Sequence, residues 1–100
     1  MTREVSFLAE AYDDLEAAVA WYNDQEPGRG AHLTAAVRDM VSRVAEQPRL
    51  FSTLSGPYRR AVVKRFPYLL VFRDTDDQVV IAAVWHGKRS RRALLERIGE

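Results

Sequence analysis

The chain has 100 residues, 47% hydrophobic and 29% charged, with a formal net charge of +1, which suits one modest core and fits a globular chain rather than a disordered one. It has no cysteine, so a disulfide framework and a thiolate zinc site are excluded, and its two histidines, His32 and His86, stand too far apart in sequence to suggest a metal centre. No apolar run approaches the ~18 residues of a membrane span, and the N-terminal stretch carries Arg3, Glu4 and Glu10 in place of a signal-peptide core. The expectation is a single cytoplasmic domain over residues 1–100 that uses no metal and no cofactor.

Val5 and Phe7 alternate with Glu4 and Ser6, predicting a short strand. The period then changes: Leu8, Ala11, Tyr12, Leu15, Ala18, Val19 and Tyr22 recur every three or four residues, predicting an amphipathic helix from about Ala9 to Asp24. Its acids, Asp13, Asp14 and Glu16 among them, read as a wet face near the N-terminal end, where the helix dipole favours them. Pro27-Gly28-Arg29-Gly30 reads as a stop and turn. A second helix carries Leu33, Ala36, Val37, Met40, Val41 and Val44 and ends before Pro48; so short a turn predicts an antiparallel helix hairpin.

Residues Gln47 to Pro57 read as a loop. Strands are predicted over about Tyr58–Arg65, Tyr68–Arg73 and Gln78–Trp85, joined tightly by Phe66-Pro67 and the acidic turn after Arg73, and so paired as an antiparallel meander. Ser90 to Ile98 fits a short helix capped by Ser90. The fold class expected is α+β, with one sheet carrying the helix hairpin on one face. Two of these strands are apolar on both sides: Tyr68, Leu70 and Phe72 oppose Leu69 and Val71, while Val80, Ala82 and Val84 oppose Val79, Ile81, Ala83 and Trp85. A helix hairpin covers one face only, so the expectation is an exposed apolar patch on the other, fit for a partner chain.

Charge is distributed unevenly. From Tyr58 onward ten Lys/Arg stand against five acids, whereas the first 57 residues hold five against nine. The C-terminal half therefore suits an anionic partner. Arg59, Arg60, Lys64 and Arg65 fit either a contact surface or a solvated edge strand that resists aggregation. Lys88, Arg89, Arg91 and Arg92 crowd together after an apolar strand and read as an anion-binding cluster.

Taken together, the element order, Asp14-Leu15 and Trp21-Tyr22, Pro27-Gly28-Arg29-Gly30, Arg59-Arg60, Arg65-Phe66-Pro67-Tyr68 and Val84-Trp85-His86-Gly87-Lys88-Arg89 resemble the RelE/ParE superfamily of toxins from bacterial type II toxin–antitoxin systems. The resemblance spans nearly the whole chain. It implies a toxin held by a cognate antitoxin, with Trp21, Tyr22, Leu69, Val71 and Trp85 as the antitoxin contact. Members that cut ribosome-bound messenger RNA carry an arginine directly after the tyrosine of the middle meander strand; here that position is Leu69. They also often carry an aromatic or basic catalytic residue a few positions after a Lys-Arg pair, where this chain has Leu94 and Leu95. The Phe66–Leu70 stretch is more like the ParE branch, whose characterised members poison DNA gyrase.

That resemblance implies a non-enzymatic gyrase inhibitor whose target contacts are Arg59, Arg60, Arg65, Lys88, Arg89, Arg91 and Arg92. The alternative it leaves is a metal-independent ribonuclease acting on ribosomal messenger, which needs a base for the 2′-hydroxyl, an acid for the leaving oxygen and cations for the phosphorane. His86, Arg89, Arg60 and Arg65 are the candidates for that chemistry, His86 as the nearby imidazole. A third reading is a diverged domain that keeps only the antitoxin contact.

Overall fold

In the computed structural model, which describes residues 2–99, the N-terminal alternation forms β1 (Glu4–Phe7). The helical recurrences form α1 (Ala9–Gln25) and α2 (Arg29–Glu46). Between them Gly28 takes a φ of +89°, a left-handed backbone that residues bearing a Cβ rarely adopt. Asn23 fastens the turn, its Oδ1 accepting the Gly30 N–H at 2.8 Å. A Cβ at Gly30 would lie 2.8 Å from the Asn23 side chain and from Val19 Cγ1, so the helices meet there over bare backbone. Of the predicted α1 stripe, Leu8 and Tyr12 fall outside the core, being 44% and 55% exposed, while Ala11, Ala18 and Tyr22 carry the buried face.

A 3-10 turn (Pro48–Leu50) leads to β2 (Thr53–Ser55), β3 (Tyr58–Val62), β4 (Tyr68–Asp74), β5 (Gln78–His86) and finally α3 (Arg91–Ile98). The sheet order is β1-β5-β4-β3-β2, antiparallel except for the parallel β1–β5 pair. The meander is therefore extended on both sides, and part of the expected 47–57 loop is a strand. The third strand is shorter than expected: it stops at Val62, because Val63 N–H donates to the Tyr68 carbonyl and Arg65 takes a φ of +70°, which closes the turn.

The helix hairpin packs on one sheet face, here called the inner face, over Leu33, Val44, Leu70, Phe72, Val79 and Ile81, all fully buried. The outer face differs from its sequence reading in two ways. First, Phe72 pairs with Ile81 but Val71 with Ala83, so Ala82 is the extra residue of a bulge. The bulge reverses the alternation of β5: Val79 and Ile81 point inward, but Ala83 and Trp85 point outward and Val84 returns to the inner side. Second, the expected exposed patch is covered. Leu54 of β2 and Leu94, Ala93 and Ile98 of α3 close over Val71, Ala83 and Trp85, which are 2% exposed or less.

Candidate functional site

β1 stops pairing at Phe7, opposite Ile81, and β5 runs on to His86. Beyond Ile81 the β1-side edge of β5 therefore faces α1, and Asp14 serves it: Oδ2 accepts the Val84 N–H at 3.0 Å. The same carboxylate takes both guanidinium arms of Arg97, each at 3.0 Å, in a bidentate pair whose carboxylate is only 8% exposed. Asp14 is thus no part of a wet helix face; it joins α1, β5 and α3. Arg97 is held above its ordinary pKa chiefly by this hydrogen bonding, with burial opposing and Glu10 and Asp13 adding attraction beside that of Asp14.

Alongside this junction runs a groove of about 1050 Å³ between α1 and the end of β5, lined among others by Trp21, Tyr22, Tyr68, His86 and Arg89. Trp21, 56% exposed, stands edge-on to Tyr22, which in turn meets Phe66 and Tyr68. Burial, with Tyr22 adding, pushes the Tyr68 phenol above its usual pKa. His86 packs edge-on against Tyr68 at 5.1 Å, and its Nδ1 accepts the Lys88 N–H at 3.0 Å, which puts the ring proton of neutral His86 on Nε2.

Trp85 lies behind the groove on the outer face. The Arg89 guanidinium carbon sits 3.7 Å from its ring centroid and that of Arg97 5.3 Å, so two cations share one indole. Its Nε1–H is the one buried side-chain polar atom without a partner among the described residues. An unpaired buried donor costs about 1–3 kcal/mol.

The residues predicted from sequence divide accordingly. Arg59 turns inward to the Phe51 carbonyl, at 2.8 Å, and to Asp74, so it is a structural brace. Arg91 reaches the Leu54 carbonyl at 3.4 Å. Arg60, Arg65, Lys88 and Arg92 are solvent-facing or half-exposed and have no ion-pair partner among the described residues. His86 and Arg89 share the groove, but Arg60 and Arg65 do not line it. Of the expected antitoxin contacts, Trp21 is exposed and Leu69 half-buried, whereas Tyr22, Val71 and Trp85 are buried. Sequence reading missed Asp14 and Arg97, which are 83 positions apart. Only folding brings them together, and nothing local to either residue signals the other.

Residues 5–91 match the family of the ParE toxin of type II toxin–antitoxin systems, parDE. The chain belongs to the ParE toxin family. The match ends at the first residue of α3. Among similar ParE toxins is Toxin ParE2 of Mycobacterium tuberculosis, present in strains CDC 1551 and H37Rv, 32% identical over 95 residues that span 94% of this chain and 90% of the relative. The fold is also that of a solved chain titled as the chromosomal ParDE toxin–antitoxin system from P. aeruginosa. That likeness has a TM-score of 0.75 at 15% identity and covers 85% of this chain and 96% of the other. No described helix of this ParE-family toxin is long and apolar enough to cross a membrane.

Proposed function

We propose that this ParE-family toxin acts as one domain in the cytoplasm, binds DNA gyrase and stalls replication, and is neutralised by a cognate antitoxin. The observation that carries the choice of gyrase over messenger RNA is the setting of Leu69. The resemblance places the arginine of messenger-cutting members at this position, and here an apolar side chain packs into the outer cluster with Val71, Trp85 and Leu94. A phosphorane forming at that position would meet hydrocarbon where it needs a cation. The unpaired cations Arg60, Arg65, Lys88 and Arg92 fit a stoichiometric contact with an anionic surface. Trp21 and the groove beside it fit an apolar anchor of the antitoxin.

The test is a paired assay on purified toxin. Gyrase supercoiling should fall in proportion to toxin added and recover with the cognate antitoxin, while ribosome-bound message stays intact. Cleavage within translated codons, lost on Arg89→Ala, would instead establish the ribonuclease, with His86 and Arg89 as its groove residues. Inertness in both assays with antitoxin binding retained would leave only the diverged binding domain.

A further inference from the structure

We propose that α3 is a latch: a cover that opens from the outer sheet face without unfolding the rest of the toxin, with Arg97 as its catch on Asp14. Four observations support this, none of which depends on the identity of the target.

First, α3 is complete in itself. Ser90 Oγ caps its first turn by accepting the Ala93 N–H at 3.1 Å, and Gly99, at a φ of +80°, ends it by donating its N–H to the carbonyls of Glu96 and Leu95. No backbone hydrogen bond joins α3 to the sheet among the described residues, so lifting it breaks none.

Second, its attachment is sparse. Leu94 is the one buried side chain of the helix, and at the N-terminal end Arg91 makes a single long bond to the Leu54 carbonyl. The strong hold is at the far end, where the bidentate Arg97–Asp14 pair is flanked by Glu10 and Asp13. An ion pair at the tip of a short, self-capped helix suits a catch better than the centre of a core.

Third, the closed state leaves a buried donor unpaired, the Trp85 indole N–H, and opening gives it water. Fourth, the hinge falls at Ser90, because the residues before it are held to the end of the sheet: the Gly87 N–H donates to the Pro67 carbonyl at 2.7 Å and the Arg89 N–H to the His86 carbonyl at 3.0 Å. Arg89, anchored ahead of the hinge, lies over Trp85, so opening uncovers the apolar face beside a cation already in place. Closed, the toxin offers a basic helix; open, it offers Val71, Ala83 and Trp85 beside the same cations.

The experiment is amide hydrogen exchange on the full chain, with acrylamide quenching in a Trp21→Phe background that leaves Trp85 as the one tryptophan. In the wild type the α3 amides should exchange at least about tenfold faster than those of β4 and β5. Asp14→Asn keeps an acceptor for Val84 N–H but removes the charge. It should speed α3 exchange by a further factor of about ten, raise Trp85 quenching, and leave β4 and β5 protected. If α3 and the β4–β5 core exchange at the same rate in the wild type, the helix opens only with the whole fold and the latch is refuted, whether or not Asp14→Asn folds. Faster α3 exchange unaffected by Asp14→Asn would equally refute the ion pair as its catch. Neither readout involves gyrase or antitoxin, so failure here is separable from failure of the proposed function.

Discussion

The two faces of the sheet are covered by different means. The inner face lies under helices of 17 and 18 residues, whose stripes interleave with β4 and β5 in one continuous cluster around Leu33, Leu70 and Phe72. The outer face lies under a helix of eight residues that buries one leucine and relies on an ion pair at its end. Apolar area scales with cover, so the inner face carries most of the stabilising burial, while the outer face is protected from water with little energy to spare. Deep cover holds the fold; thin cover leaves a surface that can be uncovered.

The sharpest way to break this comparison is to make the same substitution on both faces. Leu70, fully buried on the inner side, should lose about 2–5 kcal/mol of global stability as Leu70→Ala, read as a lower urea midpoint at unchanged slope. Leu94 is nearly as buried, at 2% exposure. Leu94→Ala can remove no more global stability than the closing of α3 supplies, because beyond that point the open form is the ground state; a loss of about 1–2 kcal/mol is expected. Equal losses at the two positions would mean that the outer cluster is as integral as the inner one.

Much of the fold was legible because periodicity is a local property. The stripes of both helices, the alternation of β1 and β4, and the Ser90 cap are written in neighbouring residues, and those elements stand where the pattern put them. The bulge at Ala82 was not legible. It carries no glycine or proline signal in the sequence, yet it moves Trp85 from the expected side of β5 to the other. β2 is three residues long and too short to show a period. The site suffered most: Asp14 looks like any acid in the first turns of a helix, and its burial follows from β1 ending at Phe7 and leaving Val84 N–H in need of an acceptor.

A second substitution probes what holds the deep cover together. Gly→Ala in a helix ordinarily gains up to about 1 kcal/mol. At Gly30 the new methyl would sit 2.8 Å from Asn23 and Val19, closer than side chains tolerate, and Asn23 is also the acceptor for the Gly30 N–H. Crowding should win, with Gly30→Ala costing about 1–3 kcal/mol as the two helices spread. Adding Asn23→Ala should restore part of the melting temperature by freeing space on one side, though the Val19 contact remains. Stabilisation by Gly30→Ala alone would show that the helix hairpin has slack at its turn.

The smallest effect belongs to the thin cover and tests whether it behaves as a unit. Ser90 supplies the N-cap of α3 and touches the Ala93 N–H at 3.1 Å. Ser90→Ala should destabilise the helix by about 1 kcal/mol, equivalent to a roughly fivefold rise in α3 amide exchange. Ser90→Asp, an equally good cap that also brings a carboxylate to the positive end of the helix, should restore protection. If the cover opens by itself, α3 amides exchange faster than those of β4 and β5 in both variants, and Ser90→Ala lowers global stability by no more than the closing of α3 supplies. Equal exchange rates in α3 and in β4 and β5, with the cap and without it, would mean that cap, helix and sheet unfold as one, and the contrast between the two faces would then be one of size alone.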